Sequence, residues 1–197
     1  MAKPVVEPRR AEAPVDELFI ERWSPRAFRD EPLSETEVAG LFEAARWAPS
    51  CYNDQPWLFL YARAPEDRAR FLQILTEGNR VWASRAPLLA FVLARRAFRH
   101  NGRVNRHALF DAGAAWMSLA LQARRLGLYA HGMAGFSPEK VYADLGVPEA
   151  EYDAIAAVAV GRLGDPGTLP ENLAAMEHPN QRKPSVEVAR EGAFAGA

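Results

Sequence analysis

The stretch from Asn105 to Leu126 constrains the fold most, because it spans several helical turns and is apolar almost all round between Ala112 and Leu121, with Gly127 as a stop signal. Such a helix has to be covered, and the pattern predicts a central, buried helix set against a sheet. Candidate strands are present. Trp57-Leu58-Phe59-Leu60-Tyr61 and Leu88-Leu89-Ala90-Phe91-Val92-Leu93 read as buried strands, with helical material at about 66–76 between them, and Ile155 to Gly161 gives the last strand. Upstream, a helix from about Val15 carries Leu18 and Phe19 on one side and stops near Trp23, since Pro25 disfavours helical geometry at Ser24. Ser34 followed by Glu37 forms a capping box, with Leu33 and Val38 as its staple, and Val38, Leu41, Phe42 and Ala45 continue one apolar stripe. Ser137-Pro138 opens a short helix ended by Gly146. Strands and helices in this order predict the α+β class.

A chain of 197 residues that is 49% hydrophobic can bury one good core. The division read from the sequence is a flexible N-terminal arm over 1–14, one domain over 15–190 and a C-terminal tail over 191–197. With 24 basic and 25 acidic residues there is no overall field to favour nucleic acid or an anionic membrane, so any anion site has to be local. A single cysteine excludes an internal disulfide. The first residues lack the apolar core of a signal peptide and no apolar run reaches membrane-span length, which predicts a soluble, cytoplasmic protein.

Two segments carry chemistry. Ala48-Pro49-Ser50-Cys51-Tyr52-Asn53-Asp54-Gln55-Pro56-Trp57 packs two prolines, amides and hydroxyls between a helix and a strand, more polar groups than a connection needs, which points to a ligand edge. Arg22, Ser24 and Arg26 alternate where Pro25 favours an extended backbone, so all three side chains can face one way. Two guanidinium groups and a hydroxyl on one edge suit a phosphate. The alternative is a solvated basic turn paired with Asp30 or Glu31, and the residues alone leave both readings open. Arg182 could reach the same anion only through folding or a partner subunit. Cys51 reads as a small structural thiol, and Trp57 and Trp82 as core anchors. His100, His107, His131 and His178 lack metal spacing, so no metal is expected. The run Arg95-Arg96-Ala97-Phe98-Arg99-His100 reads as a solvated strand exit.

Taken together these blocks resemble the FMN-dependent nitroreductase family. The resemblance rests on Arg22-Trp23-Ser24-Pro25-Arg26-Ala27-Phe28, on Ala45 and Ala48-Pro49-Ser50 leading to Asn53-x-Gln55-Pro56-Trp57, and on Gly78-Asn79-Arg80-Val81-Trp82 before Ala86-Pro87. Asp111-x-Gly113, Gly135-Phe136-Ser137-Pro138-Glu139, the strand ending at Gly161 and Arg182-Lys183-Pro184 complete it over about residues 16–190. It implies a three-layer α/β/α sandwich with a mixed, mostly antiparallel sheet, a long central helix and an intertwined homodimer with FMN at the subunit interface. Arg22, Trp23, Ser24 and Arg26 are then expected at the FMN phosphate and ribityl chain, joined by Arg182, while Pro49, Ser50, Cys51 and Asn53 approach the flavin of the other subunit. Ala134-Gly135 is expected along the ring edge, Gly135 because a missing side chain lets backbone come close. Gln55 and Asn79 are candidates for stabilising charge on the reduced ring. Family members often have Glu-Gly or Gly-Gly at 134–135 and some have a lysine at 180, where this chain has Ala134 and Asn180.

The activity this implies is ping-pong hydride transfer through FMN N5 from NADH or NADPH to a nitroaromatic, a quinone or a related small acceptor, without a protein nucleophile. Within the same fold, a reductive dehalogenase or a dehydrogenase is an alternative, as is a flavin-holding protein without turnover. Substrate range is expected to reside in about 95–108 and 165–180, neither of which contains a readable substrate code.

Overall fold

The computed structural model describes residues 8–194. The expectations of an N-terminal arm and a C-terminal tail therefore fall outside the described residues at 1–7 and 195–197. Chain order is α1 (Glu17–Glu21), α2 (Glu35–Arg46), a 3-10 turn (Cys51–Asn53), β1 (Trp57–Ala62), α3 (Pro65–Ile74), α4 (Glu77–Ala83), β2 (Leu88–Arg95), α5 (Ala108–Arg125), β3 (Tyr129–Met133), α6 (Pro138–Leu145) and β4 (Tyr152–Gly161). A second 3-10 turn (Pro166–Thr168) and two short helices, α7 (Glu171–Ala174) and α8 (Ser185–Val188), follow.

Local chemistry explains most of these boundaries. Asp16 caps α1 by accepting from the Leu18 amide at 2.9 Å. The capping box of α2 is formed: the Ser34 hydroxyl accepts from the Glu37 amide at 3.2 Å and Glu37 accepts from the Ser34 amide at 2.7 Å. Gly146 ends α6 with φ 68°, a left-handed turn that costs little without a Cβ.

The sheet order is β1-β2-β4-β3, and among the described residues every pairing is antiparallel. Alternation along the central strand β2 sends Leu88, Ala90, Val92 and Ala94 to one core and Leu89, Phe91 and Leu93 to another. The first core packs against α2 and α5; the second receives Phe71 and Ile74 of α3, Trp82 and Ala83 of α4 and Val141 of α6. Helices thus cover both faces, giving three layers. Trp82 is 1% exposed and stacks on Phe28 with ring centroids 6.2 Å apart, so truncation to alanine is worth about 3–5 kcal/mol.

Three expectations change. The long helix begins at Ala108, because the buried Asn105 instead accepts from the His107 amide at 3.0 Å through Oδ1, a local bond that competes with helix. It is buried on one face only: Ala112, Ala115, Leu119 and Ala123 face the core, whereas Leu109 and Phe110 are 53% and 79% exposed. The basic run at 95–100 is not simply solvated, since the half-buried Arg95 forms an ion pair with the buried Asp54 at 2.7 Å.

Candidate functional site

The exit of α1, the edge strand β3 and the tail after α7 meet around a cavity of about 220 Å³ lined by Arg9, Arg22, Ser24, Arg26, His131 and Arg182, with Trp23, Met176, His178 and Asn180 completing its wall. The extended backbone around Pro25 does bring Arg22, Ser24 and Arg26 to one side, and folding brings Arg182 to them. Asp30 and Glu31 do not neutralise these arginines. They pair instead with Arg68 at 3.5 Å and with Arg162 at 3.3 Å. Among the described residues no carboxylate forms an ion pair with Arg9, Arg22, Arg26 or Arg182.

Burial and like charge act on the Arg22 and Arg9 guanidinium groups in the same direction. Burial first, and then the charge of Arg182, hold the Arg22 guanidinium below its ordinary pKa. Arg9 is lowered in the same way, by burial and then by Arg182 and Arg22. The carboxylate of Glu177 is committed to backbone: Oε1 accepts from the Arg26 amide at 2.6 Å and the Ala27 amide at 2.7 Å, and Oε2 is buried without a hydrogen-bond partner.

His131 forms the floor with its ring 4.6 Å from that of Trp82. Its Nδ1 lies 2.8 Å from the Pro25 carbonyl, which can only accept, so Nδ1 carries the proton and donates. Burial pulls its pKa down to about 4; the Pro25 carbonyl opposes that shift and the Arg26 charge adds to it. The ring is therefore neutral near pH 7.

Downstream of β3, Gly135 and Asn79 are joined directly. The Gly135 carbonyl accepts from Asn79 Nδ2 at 3.0 Å, from the Thr76 amide at 3.0 Å and from Thr76 Oγ1 at 3.1 Å. A Cβ on Gly135 would meet Asn79 Nδ2 at 2.5 Å and Thr76 Oγ1 at 2.7 Å. The side chains of Asn79 and Thr76 thus favour glycine at 135 within this chain, since a larger residue would have to displace them. Ala134 beside it is exposed.

The loop after α2 stands apart: Pro49, Ser50, Cys51, Asn53 and Gln55 do not line the arginine cavity. Its polar groups are partly satisfied internally. Ser50 Oγ accepts from the Gln55 amide at 3.0 Å, and Gln55 Nε2 donates to Asn53 O at 3.0 Å and Oδ1 at 3.1 Å. The Cys51 amide donates to Asp111 of α5 at 3.1 Å, and the thiol is free and half-buried. Tyr52, Asn53 and Gln55 all have positive φ, 54°, 53° and 49°, an unfavourable backbone for residues with side chains.

Sequence reasoning missed Arg9, His131, His178 and Glu177 at this site. Arg9 lies in an aperiodic segment and meets Asn180 across the length of the chain, so no local pattern announces it. No helix of the described residues is long and apolar enough to cross a membrane.

Comparison with known proteins bears on the fold and the family. A solved structure described as an oxidoreductase containing FMN is 43% identical and superposes with a TM-score of 0.91, covering 96% of this chain and 97% of its own. A Desulfovibrio desulfuricans protein, provisionally named a nitroreductase and solved in complex with FMN, is 26% identical with a TM-score of 0.73 over 94% of this chain and all of its own. A Streptomyces coelicolor protein that carries the provisional name NADH dehydrogenase/NAD(P)H nitroreductase is 29% identical over 168 residues, 76% of this chain and 83% of its own. The family model described as "Nitroreductase family" matches residues 20–81 and 74–162, and with this span and the arginine cavity in view, the chain belongs to the nitroreductase family.

Proposed function

We propose that the chain is an FMN-dependent oxidoreductase that works as a homodimer and moves reducing equivalents from NADH or NADPH to a nitroaromatic, a quinone or a related small acceptor. The observation that carries this reading is the polar cavity with four arginines, Arg9, Arg22, Arg26 and Arg182, and no carboxylate ion-paired with any of them among the described residues. Arg9, Arg22 and Arg26 are half-buried and Arg182 is exposed at the rim, so like charge converges without a counter-ion, and a phosphate dianion supplies that charge with bidentate hydrogen bonds. The donor set fits the group.

In this reading Arg22, Arg26 and Arg182 hold the phosphate and Ser24 donates its hydroxyl, while Trp23 walls the site beside them. The neutral His131 keeps the cavity floor from adding a further charge. Asn79 fixes the Gly135 backbone, which keeps Ala134-Gly135 in one conformation along the ring edge. The chemistry supplied by bound FMN is hydride transfer through ring N5. Pro49, Ser50, Cys51 and Asn53 serve the flavin of the second subunit, a role supported by their separation from this chain's own arginine cavity, and Gln55 is a candidate for stabilising charge on the reduced ring. The exposed apolar residues Leu109 and Phe110 on α5 support a covering second copy.

The test is spectroscopic. Protein purified and incubated with FMN should retain it after desalting, bleach anaerobically on addition of NADH or NADPH, and regain colour with a nitroaromatic or quinone acceptor. Retained flavin that stays oxidised under both nicotinamides would contradict the oxidoreductase reading.

A further inference from the structure

Arg9 makes a set of contacts that no phosphate ligand needs. Its Nε donates to the Asn180 carbonyl at 2.7 Å, and its Nη1 donates to the carbonyls of Ile20 at 2.8 Å and Arg22 at 2.7 Å. Ile20 and Arg22 stand at the C-terminal end of α1, where carbonyls lack intrahelical partners, so a cation there meets both their hydrogen-bonding need and the helix dipole. One planar guanidinium thereby grips the backbone of Arg22, whose side chain lines the cavity, and the backbone of Asn180, two residues before Arg182, whose side chain also lines it.

The same tail is fastened at two further points. Glu177 accepts from the amides of Arg26 and Ala27, and Glu12 of the N-terminal segment accepts from the Ser185 amide at 2.8 Å. Both ends of the described chain are thus sewn to each other and to the rim of one cavity.

We propose that Arg9 is a positioning residue of the anion site and that the N-terminal segment and the tail form a clasp whose closure is coupled to phosphate occupancy. Closure brings Arg9, Arg22 and Arg182 together, so the closed state without an anion carries their mutual repulsion. A phosphate removes that repulsion and stabilises the closed clasp, and by linkage the closed clasp raises phosphate affinity by the same factor. The choice of ligand rests on the FMN reading above.

Arg9→Ala and Arg9→Lys are compared with wild type for binding of FMN and of riboflavin, which lacks the phosphate, and for amide hydrogen exchange across 177–185. Lysine keeps the charge and lacks the planar fork that spans the carbonyls. Both variants should bind FMN about tenfold or more weakly, bind riboflavin as wild type does, and exchange faster across the tail, with FMN slowing tail exchange only in wild type. FMN affinity equal to wild type in both variants, or equal losses for FMN and riboflavin, would overturn the proposal. A wild-type protein that takes up no FMN removes the functional reading instead. Inorganic phosphate then replaces FMN as the probe: slowed tail exchange in wild type alone upholds the clasp, and no slowing overturns it.

Discussion

Asp54 Oδ2 and Arg95 Nη2 lie 2.7 Å apart, with side chains 2% and 13% exposed. Asp54 Oδ1 also accepts from the Arg99 amide at 2.9 Å, so one carboxylate ties the loop with three left-handed residues to the end of β2. Asp54→Ala leaves the half-buried Arg95 without its counter-ion, its Nη1 bonded to the Ala97 carbonyl and its Nε already lacking a partner. A loss of about 3–5 kcal/mol is expected in denaturant unfolding. A loss within experimental error would mean that the loop is held by something else.

Gly135→Ala should destabilise the flavin-free protein by about 1–3 kcal/mol, since the added methyl runs into Asn79 and Thr76. The cost should shrink in an Asn79→Ala background, where the closest obstacle is gone. Thermal melts of the two single variants and the double variant measure this coupling. An additive cycle would show that Asn79 does not set the need for glycine.

His131 predicts a pH window for stability. Its folded pKa of about 4 lies below the ordinary 6.5, so between these values the unfolded chain binds the proton and the folded chain does not. The contribution is absent above pH 6.5, grows as pH falls, and levels off below about 4, for a total loss of about 3 kcal/mol. His131→Gln should flatten unfolding free energy across that window relative to wild type. Parallel pH profiles would exclude His131 as the source.

Phe110→Arg should disrupt the proposed dimer, because the exposed ring lies on the open face of α5. Analytical ultracentrifugation should show a monomer at concentrations where wild type is a dimer, with FMN retention falling in parallel. A dimeric variant would move the interface elsewhere.

What could be read from the sequence follows the range of the interactions. The α2 cap and stripe were legible because Ser34, Glu37, Val38 and Leu41 act within two turns. The burial of β2 was legible because an apolar run between two cores has no polar face to disguise it. The strand β3 was missed: among the described residues it is an edge strand paired with β4 alone, and His131-Gly132 interrupts the apolar pattern. The helix α4 was seen as a motif and not as a helix, since Gly78 and Asn79 are poor helix formers and Thr76 makes no side-chain cap. At the site, the alternation of Arg22, Ser24 and Arg26 is visible in the sequence, but alone it suits a solvated basic turn as well as a phosphate edge, and the choice needs the distant Arg182. Arg9 and Glu177 were not visible, because each acts on backbone atoms distant in sequence, and no residue type advertises that.

The most direct test of the arginine cavity as a phosphate seat is the affinity of wild type, Arg22→Ala and Arg26→Ala for FMN and for riboflavin. Charge-assisted hydrogen bonds contribute about 1.5–3 kcal/mol each, so either variant should bind FMN at least about tenfold more weakly while riboflavin affinity stays at the wild-type value. FMN affinity unchanged in both variants would contradict the assignment and return Arg22-Trp23-Ser24-Pro25-Arg26 to a solvated basic turn.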